Sequence, residues 1–128
     1  MPDTPAARKK VLVVDDDRAV QRLVELILRD RQMDVTIAPS AEEALLLASR
    51  TIFDLVVVDK NLPGMSGIEL VGKLHASSPK TALALITAEM TFETPARLKE
   101  LGVDAILAKP FVDPAAIGER LAGLARRR

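Results

Sequence analysis

Short apolar runs recur along the chain, separated by longer segments in which polar and apolar residues are mixed. The runs lie at residues 11–14 (VLVV), 55–58 (LVVV), 82–86 (ALALI) and 105–108 (AILA). Continuous hydrophobicity over so few residues is typical of a strand that is covered on both faces of its sheet. A weaker run, MDVTIA around Val35, predicts a fifth strand.

The segments between these runs carry helical signals. Apolar residues at i, i+3, i+4 and i+7 predict a first helix with a single apolar face, and they are Val20, Leu23, Val24 and Ile27. Four more helices are predicted from their starts, which are Ser40 with Glu43, Gly67, Thr94 before Pro95, and Asp113 before Pro114. The fourth helix is expected to be short, because Gly102 follows it closely.

Five strands therefore alternate with five helices. Connections this short require right-handed crossovers, which predicts an α/β fold with a doubly wound, mostly parallel sheet and helices on both faces. Ligands of such sheets bind beyond the carboxyl ends of the strands. No second domain is evident, so we expect a flexible tail at residues 1–8, one domain at 9–126 and a basic end at 127–128.

Composition and charge exclude several classes of function. The 128 residues include 18 basic and 18 acidic side chains, spread over both halves of the chain, which disfavours a broad nucleic-acid-binding face. The absence of cysteine excludes disulfides, thiolate zinc sites and thiol catalysis. No apolar run approaches the roughly 18 residues of a membrane helix, and no signal-peptide pattern is present. We expect a cytoplasmic protein without nucleic-acid or membrane partners.

Polar residues follow the predicted strands, at the edge where ligands bind. A lone aspartate there is more often a cap or turn former, and we expect Asp17 to be a helix cap. Carboxylates of two strands about 4 Å apart would repel by roughly 4 kcal/mol at an effective dielectric constant of 20, so a cation must offset them. The residues at this edge are Asp15, Asp16, Asp17, Asp59, Lys60, Asn61, Thr87, Lys109 and Pro110.

These residue types point to magnesium and phosphoryl transfer. Carboxylate and carbonyl oxygens without His or Cys favour Mg²⁺. A lysine, a hydroxyl group and a free carboxylate beside the metal are the groups that phosphoryl transfer to a carboxylate requires. Asp59 stands alone on its strand, so we assign it as the nucleophile and the pair Asp15 and Asp16 as metal ligands.

In these motifs the chain resembles the receiver domain of two-component response regulators, over residues 9–126. The matching motifs are VLVVDDD, DLVVVDKNLPGMSG, LITAE and LAKPF, in the same order and at similar spacing. The resemblance implies a flavodoxin-like receiver fold with five helices and strand order 2-1-3-4-5.

The resemblance also implies a function. Asp59 would accept a phosphoryl group from a histidine kinase or a histidine phosphotransfer protein. Asp16 and Asp59 would bind Mg²⁺ by their side chains, Asn61 by its backbone carbonyl and Asp15 through water. The chain would be a single-domain, chemotaxis-type response regulator rather than a turnover enzyme. As a monomer or weak dimer, it would switch contacts with a downstream protein or relay the phosphoryl group.

Two further residues would contact the phosphoryl group. The resemblance implies that the Thr87 hydroxyl hydrogen-bonds it and that Lys109 forms an ion pair with it. The peptide bond between Lys109 and Pro110 would be cis, which is affordable for proline at about 0.5 to 1 kcal/mol.

The switch residues depart from the family pattern. Many receivers carry a Tyr or Phe three residues before the lysine, and it rotates inward on activation, whereas this chain has Ile106. We therefore expect output through Thr87, the loop at 88–93 and the short fourth helix. Phe92 is the predicted moving side chain.

Three other classes share part of the pattern. Haloacid-dehalogenase-type phosphatases place the nucleophile after the first strand in an Asp-x-Asp motif, and DDD here lacks the expected following motif. Flavodoxin-like FMN modules need a Ser/Thr-rich phosphate loop and a Trp or Tyr for stacking, both absent here. A degenerate receiver used only for binding is disfavoured by the intact set Asp15, Asp16, Asp59, Thr87 and Lys109.

Overall fold

The structure, a computed structural model, describes residues 8–88 and 95–126. Strands and helices alternate as β1 Lys10–Val14, α1 Arg18–Arg29, β2 Asp34–Ala38, α2 Ala41–Arg50, β3 Leu55–Asp59, α3 Gly67–Ser77, β4 Ala82–Thr87, α4 Pro95–Glu100, β5 Ala105–Ala108 and α5 Pro114–Arg126. All strand pairs are parallel, and the strand order is β2-β1-β3-β4-β5. The predicted fold class and strand order are confirmed.

Two hydrophobic cores lie on opposite faces of the sheet. Val13 belongs to the core that contains Val24 of α1 and Leu121 of α5. Its neighbour Val14 points to the other face, in the core that contains Leu70 of α3. Because successive side chains of a strand alternate between faces, a strand between two cores needs apolar residues at every position. This explains the continuous apolar runs of β1, β3 and β4.

The predicted capping residues begin their helices. Asp17 accepts from the Ala19 N–H at 2.8 Å at the start of α1, and Ser40 accepts from the Glu43 N–H at 3.2 Å at the start of α2. Such side-chain oxygens satisfy N–H groups that have no partner within the helix. The predicted cap Thr94 lies outside the described residues.

The strands that end at the site are longer than their apolar runs. β3 continues to Asp59, which pairs with Ile86, and β4 continues to Thr87, which pairs with Ala108. Backbone pairing does not depend on the polarity of the side chain, so the ladder extends into the polar residues. These two side chains are therefore held by the rigid sheet rather than by a loop.

Among the described helices, none combines the length and apolar character that crossing a membrane requires. Residues 1–7 of the tail predicted at 1–8, and the basic residues 127–128, lie outside the described part of the chain.

Candidate functional site

The carboxyl ends of β1 and β3 bring three aspartates together. Val14 and Val58 are partners in the register of these neighbouring strands, so the residues that follow them lie side by side. One carboxylate oxygen each from Asp15, Asp16 and Asp59 lies within 4.8 Å of the other two. Asp15 and Asp59 are buried, and Asp16 is exposed.

Asp15 is held at three of its four polar positions. Its N–H donates to the Ala38 carbonyl at 3.2 Å, its Oδ1 accepts from the Asp17 N–H at 2.9 Å, and its carbonyl accepts from Gln21 Nε2 at 2.6 Å. The other carboxylate oxygen, Oδ2, is buried without a hydrogen-bond partner among the described residues. A buried polar atom without a partner is costly. An oxygen in this state fits a ligand position for a cation.

Electrostatics at Asp15 support this interpretation. Burial raises the pKa of the Asp15 carboxyl to about 6, and the nearby Asp59 and Asp16 carboxylates raise it too. The Asp17 N–H and the Lys109 ammonium group lower this pKa, but they do not cancel the effect of burial. A cation beside the cluster would favour the ionised form.

Asp59 is the last residue of β3, and 6% of it is exposed. Its Oδ1 accepts from the Asn61 N–H at 3.2 Å, and its Oδ2 lies 3.3 Å from Lys109 Nζ. Neighbouring groups therefore fix the direction of both carboxylate oxygens of Asp59.

Lys109, which follows β5, connects the acidic cluster to the end of β4. Its Nζ lies 3.6 Å from Asp15 Oδ2 as well as near Asp59, and its N–H donates to the Thr87 carbonyl at 2.8 Å. The bond between Lys109 and Pro110 is cis, as predicted. One cation thus faces two buried carboxylates, which leaves the three-aspartate cluster short of positive charge.

Gly67 contributes to the site in a way that sequence reasoning missed, since it was considered only as a helix start. Its N–H donates to the Lys60 carbonyl at 2.8 Å. A Cβ at this position would lie 2.1 Å from the Asp59 carbonyl oxygen and 2.7 Å from Lys60 Cα. The start of α3 therefore presses against the backbone of Asp59, and only glycine fits there.

The predicted switch residues are only partly described. Thr87 ends β4 and is buried, with 4% exposed. Ile106 of β5 is half-buried and lines a cavity of about 390 Å³ together with Leu98 and Arg120. Phe92, the predicted moving side chain, lies outside the described residues.

The oxygen-only donor set fits Mg²⁺. The aspartates offer carboxylate oxygens at close range, one of them buried and without a hydrogen bond. Mg²⁺ binds through one or two carboxylates and keeps several water molecules, so a half-exposed cluster suits it better than a closed cage would.

Sequence comparison identifies the family. The family model for the response regulator receiver domain matches residues 11–122. The chain belongs to this family, whose members are phosphoacceptors of two-component signalling that receive phosphoryl groups from histidine kinases and bind Mg²⁺ at an acidic pocket. Membership removes the phosphatase and FMN alternatives.

Curated relatives are bacterial response regulators. The chain is 37% identical over 106 residues to a response regulator receiver protein of Anaeromyxobacter sp. (strain Fw109-5), covering 83% of this chain and 44% of the relative. It is 34% identical over 122 residues to the response regulator protein PilR of Pseudomonas aeruginosa, covering 95% and 27%. The chain thus spans less than half the length of these relatives.

Solved structures show the same fold. The chemotaxis protein CheY4 of Vibrio cholerae is 32% identical, with a TM-score of 0.83 and coverage of 92% of this chain and 99% of that one. A CheY-like receiver domain protein of Methanospirillum hungatei is 31% identical, with a TM-score of 0.81 and coverage of 95% and 100%.

Proposed function

We propose that this chain is a phosphoacceptor module in which Asp59 receives a phosphoryl group from the phosphohistidine of a histidine kinase or a histidine phosphotransfer protein. The observation that carries the proposal is the position of Asp59. It belongs to a cluster of three aspartates and has an ammonium group 3.3 Å from its Oδ2. A carboxylate in such a cluster, with an ammonium group beside it, can act as a nucleophile toward phosphorus.

In the transfer step, a carboxylate oxygen of Asp59 attacks phosphorus. The new O–P bond gives an acyl phosphate, the P–N bond of the donor breaks, and its electron pair returns to the imidazole nitrogen. Lys109 neutralises Asp59 before transfer and pairs with a phosphoryl oxygen afterwards. The hydrogen bond from the Lys109 N–H to the Thr87 carbonyl holds the lysine backbone beside the end of β4, from which its side chain reaches Asp59.

The metal ligands in this proposal are Asp15, Asp16, Asp59 and the backbone carbonyl of Asn61. When bound, Mg²⁺ neutralises the clustered carboxylates and the oxygens of the incoming phosphoryl group. Asp15 is held by hydrogen bonds on its N–H, carbonyl and Oδ1. Asp15 can therefore offer Oδ2 to the metal site without changing its conformation, and Asp16 lies on the solvent-exposed side of that site.

Thr87 provides a hydroxyl group to the phosphoryl oxygens in this proposal. It lies at the end of β4, where it pairs with Ala108 of β5. We propose that output runs from Thr87 through the loop at 88–93 and α4, with Phe92 as the moving side chain, because Ile106 has no aromatic ring to rotate.

A groove beside Lys109 supports docking of the phosphodonor here. It encloses about 420 Å³ between Val20 and Leu23 of α1 and Pro110 and Phe111 after β5, and it is lined mainly by apolar atoms. A helical donor could place an apolar stripe there and its histidine over Asp59. We further propose that the module is cytoplasmic, is a monomer or weak dimer, and signals through protein contacts without turning over a substrate.

Intact mass spectrometry with a small phosphodonor tests the assignment. The wild type should gain one phosphoryl mass with Mg²⁺ and none with a chelator. Asp59→Asn should gain none, whereas Asp17→Asn, a neighbouring carboxylate that serves as a helix cap, should be labelled normally. Labelling of Asp59→Asn would overturn the assignment, and an unlabelled wild type would favour the degenerate receiver. A purified histidine kinase as donor then tests the partner class.

A further inference from the structure

The side chain of Gln21 reaches from α1 into the acidic turn. Its Nε2 donates to the Asp15 carbonyl at 2.6 Å, and the group is half-buried. Its backbone N–H donates to the Asp17 carbonyl at 2.9 Å. Both the backbone and the side chain of Gln21 are thus bonded to the turn that connects β1 to α1.

The bonded carbonyl belongs to the peptide unit that joins Asp15 to Asp16. Because a peptide unit is planar and rigid, fixing its oxygen fixes the orientation of the whole plane and hence the Cα position of Asp16. The Asp16 carboxylate is exposed and forms no hydrogen bond or ion pair with another described residue. Its place in the cluster is therefore set by its backbone.

Gln21 does this without charge. Its amide donates the hydrogen bond without adding a positive charge to the turn that carries Asp15 and Asp16. The neutral amide leaves Lys109 as the ammonium group that the structure places within 4 Å of Asp15 and Asp59.

We propose that Gln21 is a positioning residue for divalent-cation binding, which holds the peptide plane between Asp15 and Asp16 so that the Asp16 carboxylate stays aimed at Asp59. This inference rests on the proposed function, since it concerns the metal that phosphorylation of Asp59 uses.

Titration with Mg²⁺ alone, followed by amide chemical shifts, tests the inference. Gln21→Met removes the donor at similar size. Leu26→Met introduces the same residue at an exposed position of the same helix without altering charge. Loss of one hydrogen bond should raise the Kd for Mg²⁺ by about three- to tenfold in Gln21→Met. Leu26→Met should stay within about twofold of the wild type. An unchanged Kd in Gln21→Met would overturn the inference.

Phosphorylation separates this inference from the proposed function. At saturating Mg²⁺, Gln21→Met should be labelled at about the wild-type rate, and at Mg²⁺ below the wild-type Kd it should lag by the same factor as its affinity. A wild type that binds no Mg²⁺ would overturn both proposals. A wild type that binds Mg²⁺ and is labelled, beside a Gln21→Met variant with equal affinity, would overturn only the role of Gln21.

The wild-type spectrum offers a second measurement that needs no variant. The chain has two glutamines, Gln21 and the exposed Gln32. The side-chain NH₂ of Gln21 should exchange with water more slowly than that of Gln32 and should shift when Mg²⁺ is added. Two side chains that exchange alike and ignore Mg²⁺ would contradict the inference.

Discussion

The two sides of the candidate site, at the carboxyl ends of the strands, are built differently. At the ends of β1 and β3, Asp15 and Asp59 are buried and their polar groups have directed partners, apart from the single oxygen that faces the cluster. At β5, a strand of four residues, Ile106 is half-buried beside a cavity of about 390 Å³. The helix next to it, α4, has six residues. We therefore expect the side of Asp15 and Asp59 to be the more rigid of the two, and we call it the rigid side. The side of β5 and α4, with its short strand and short helix, is expected to open more easily, and we call it the loose side.

The largest effect is expected from filling the space at Gly67. Gly67→Ala places a methyl group against the Asp59 carbonyl oxygen, so the backbone must shift. We expect a loss of roughly 1–3 kcal/mol in the free energy of unfolding and a loss of most labelling. Gly72→Ala in the same helix meets no described atom within 4 Å and should stabilise the protein by about 0.5–1 kcal/mol. Urea denaturation and intact mass provide both readouts, and equal behaviour of the two variants would contradict the tight packing.

The pH dependence of stability tests the electrostatics of the rigid side. In chelator-treated protein, burial raises the pKa of the Asp15 carboxyl from 3.8 to about 6 in the folded state. The folded state binds more protons in this window, so stability should fall as pH rises from about 4 to 6. Asp15→Asn removes this contribution. Between pH 4 and pH 7, the difference in the free energy of unfolding between variant and wild type should therefore shift by about 1–3 kcal/mol in favour of the variant. A pH-independent difference between the two proteins would show that Asp15 titrates normally.

Lys109 lies where the two sides meet, so its replacement should uncouple them. Lys109→Ala should still be labelled at Asp59, at a lower rate. Amide shifts of Ala88 and α4 on phosphorylation should be lost, because the ion pair that draws β5 toward the phosphoryl group is missing. Normal phosphorylation-induced shifts in this variant would contradict its coupling role.

The smallest effect is expected on the loose side. Ile106→Ala should cost about 1 kcal/mol or less of stability, since the side chain is half-buried beside a cavity, and labelling should stay within about twofold. A large loss of labelling would show that the two sides are not separate. Ile106→Tyr should be accommodated by the cavity, and a large loss of stability would contradict that.

Sequence patterns predicted most of the fold because its signals are local. Buried strands need continuous apolar runs, and caps such as Asp17 and Ser40 act within three residues of their own position. The grouping of Asp15, Asp16, Asp59 and Lys109 could be predicted once the strands were known, because residues that follow parallel strands meet at one edge of the sheet.

The contacts of Gly67 and Gln21 could not be predicted in this way. Gly67 touches the Asp59 backbone through the path of a loop, and Gln21 reaches Asp15 through the angle between α1 and β1. The pattern of apolar and polar residues does not predict either of these contacts. The continuation of β3 and β4 into Asp59 and Thr87 does not follow from the apolar runs, because both residues are polar although they are buried and paired in the sheet.

The separation of the two cores has a consequence for how such a chain changes over evolutionary time. Val13 and Val14 are adjacent in sequence but share no core partner among the described residues, because the sheet stands between them. Substitutions on opposite faces should then combine additively. The α1–α5 face and the face formed by α2, α3 and α4 can therefore change independently, and neither set of substitutions must wait for the other.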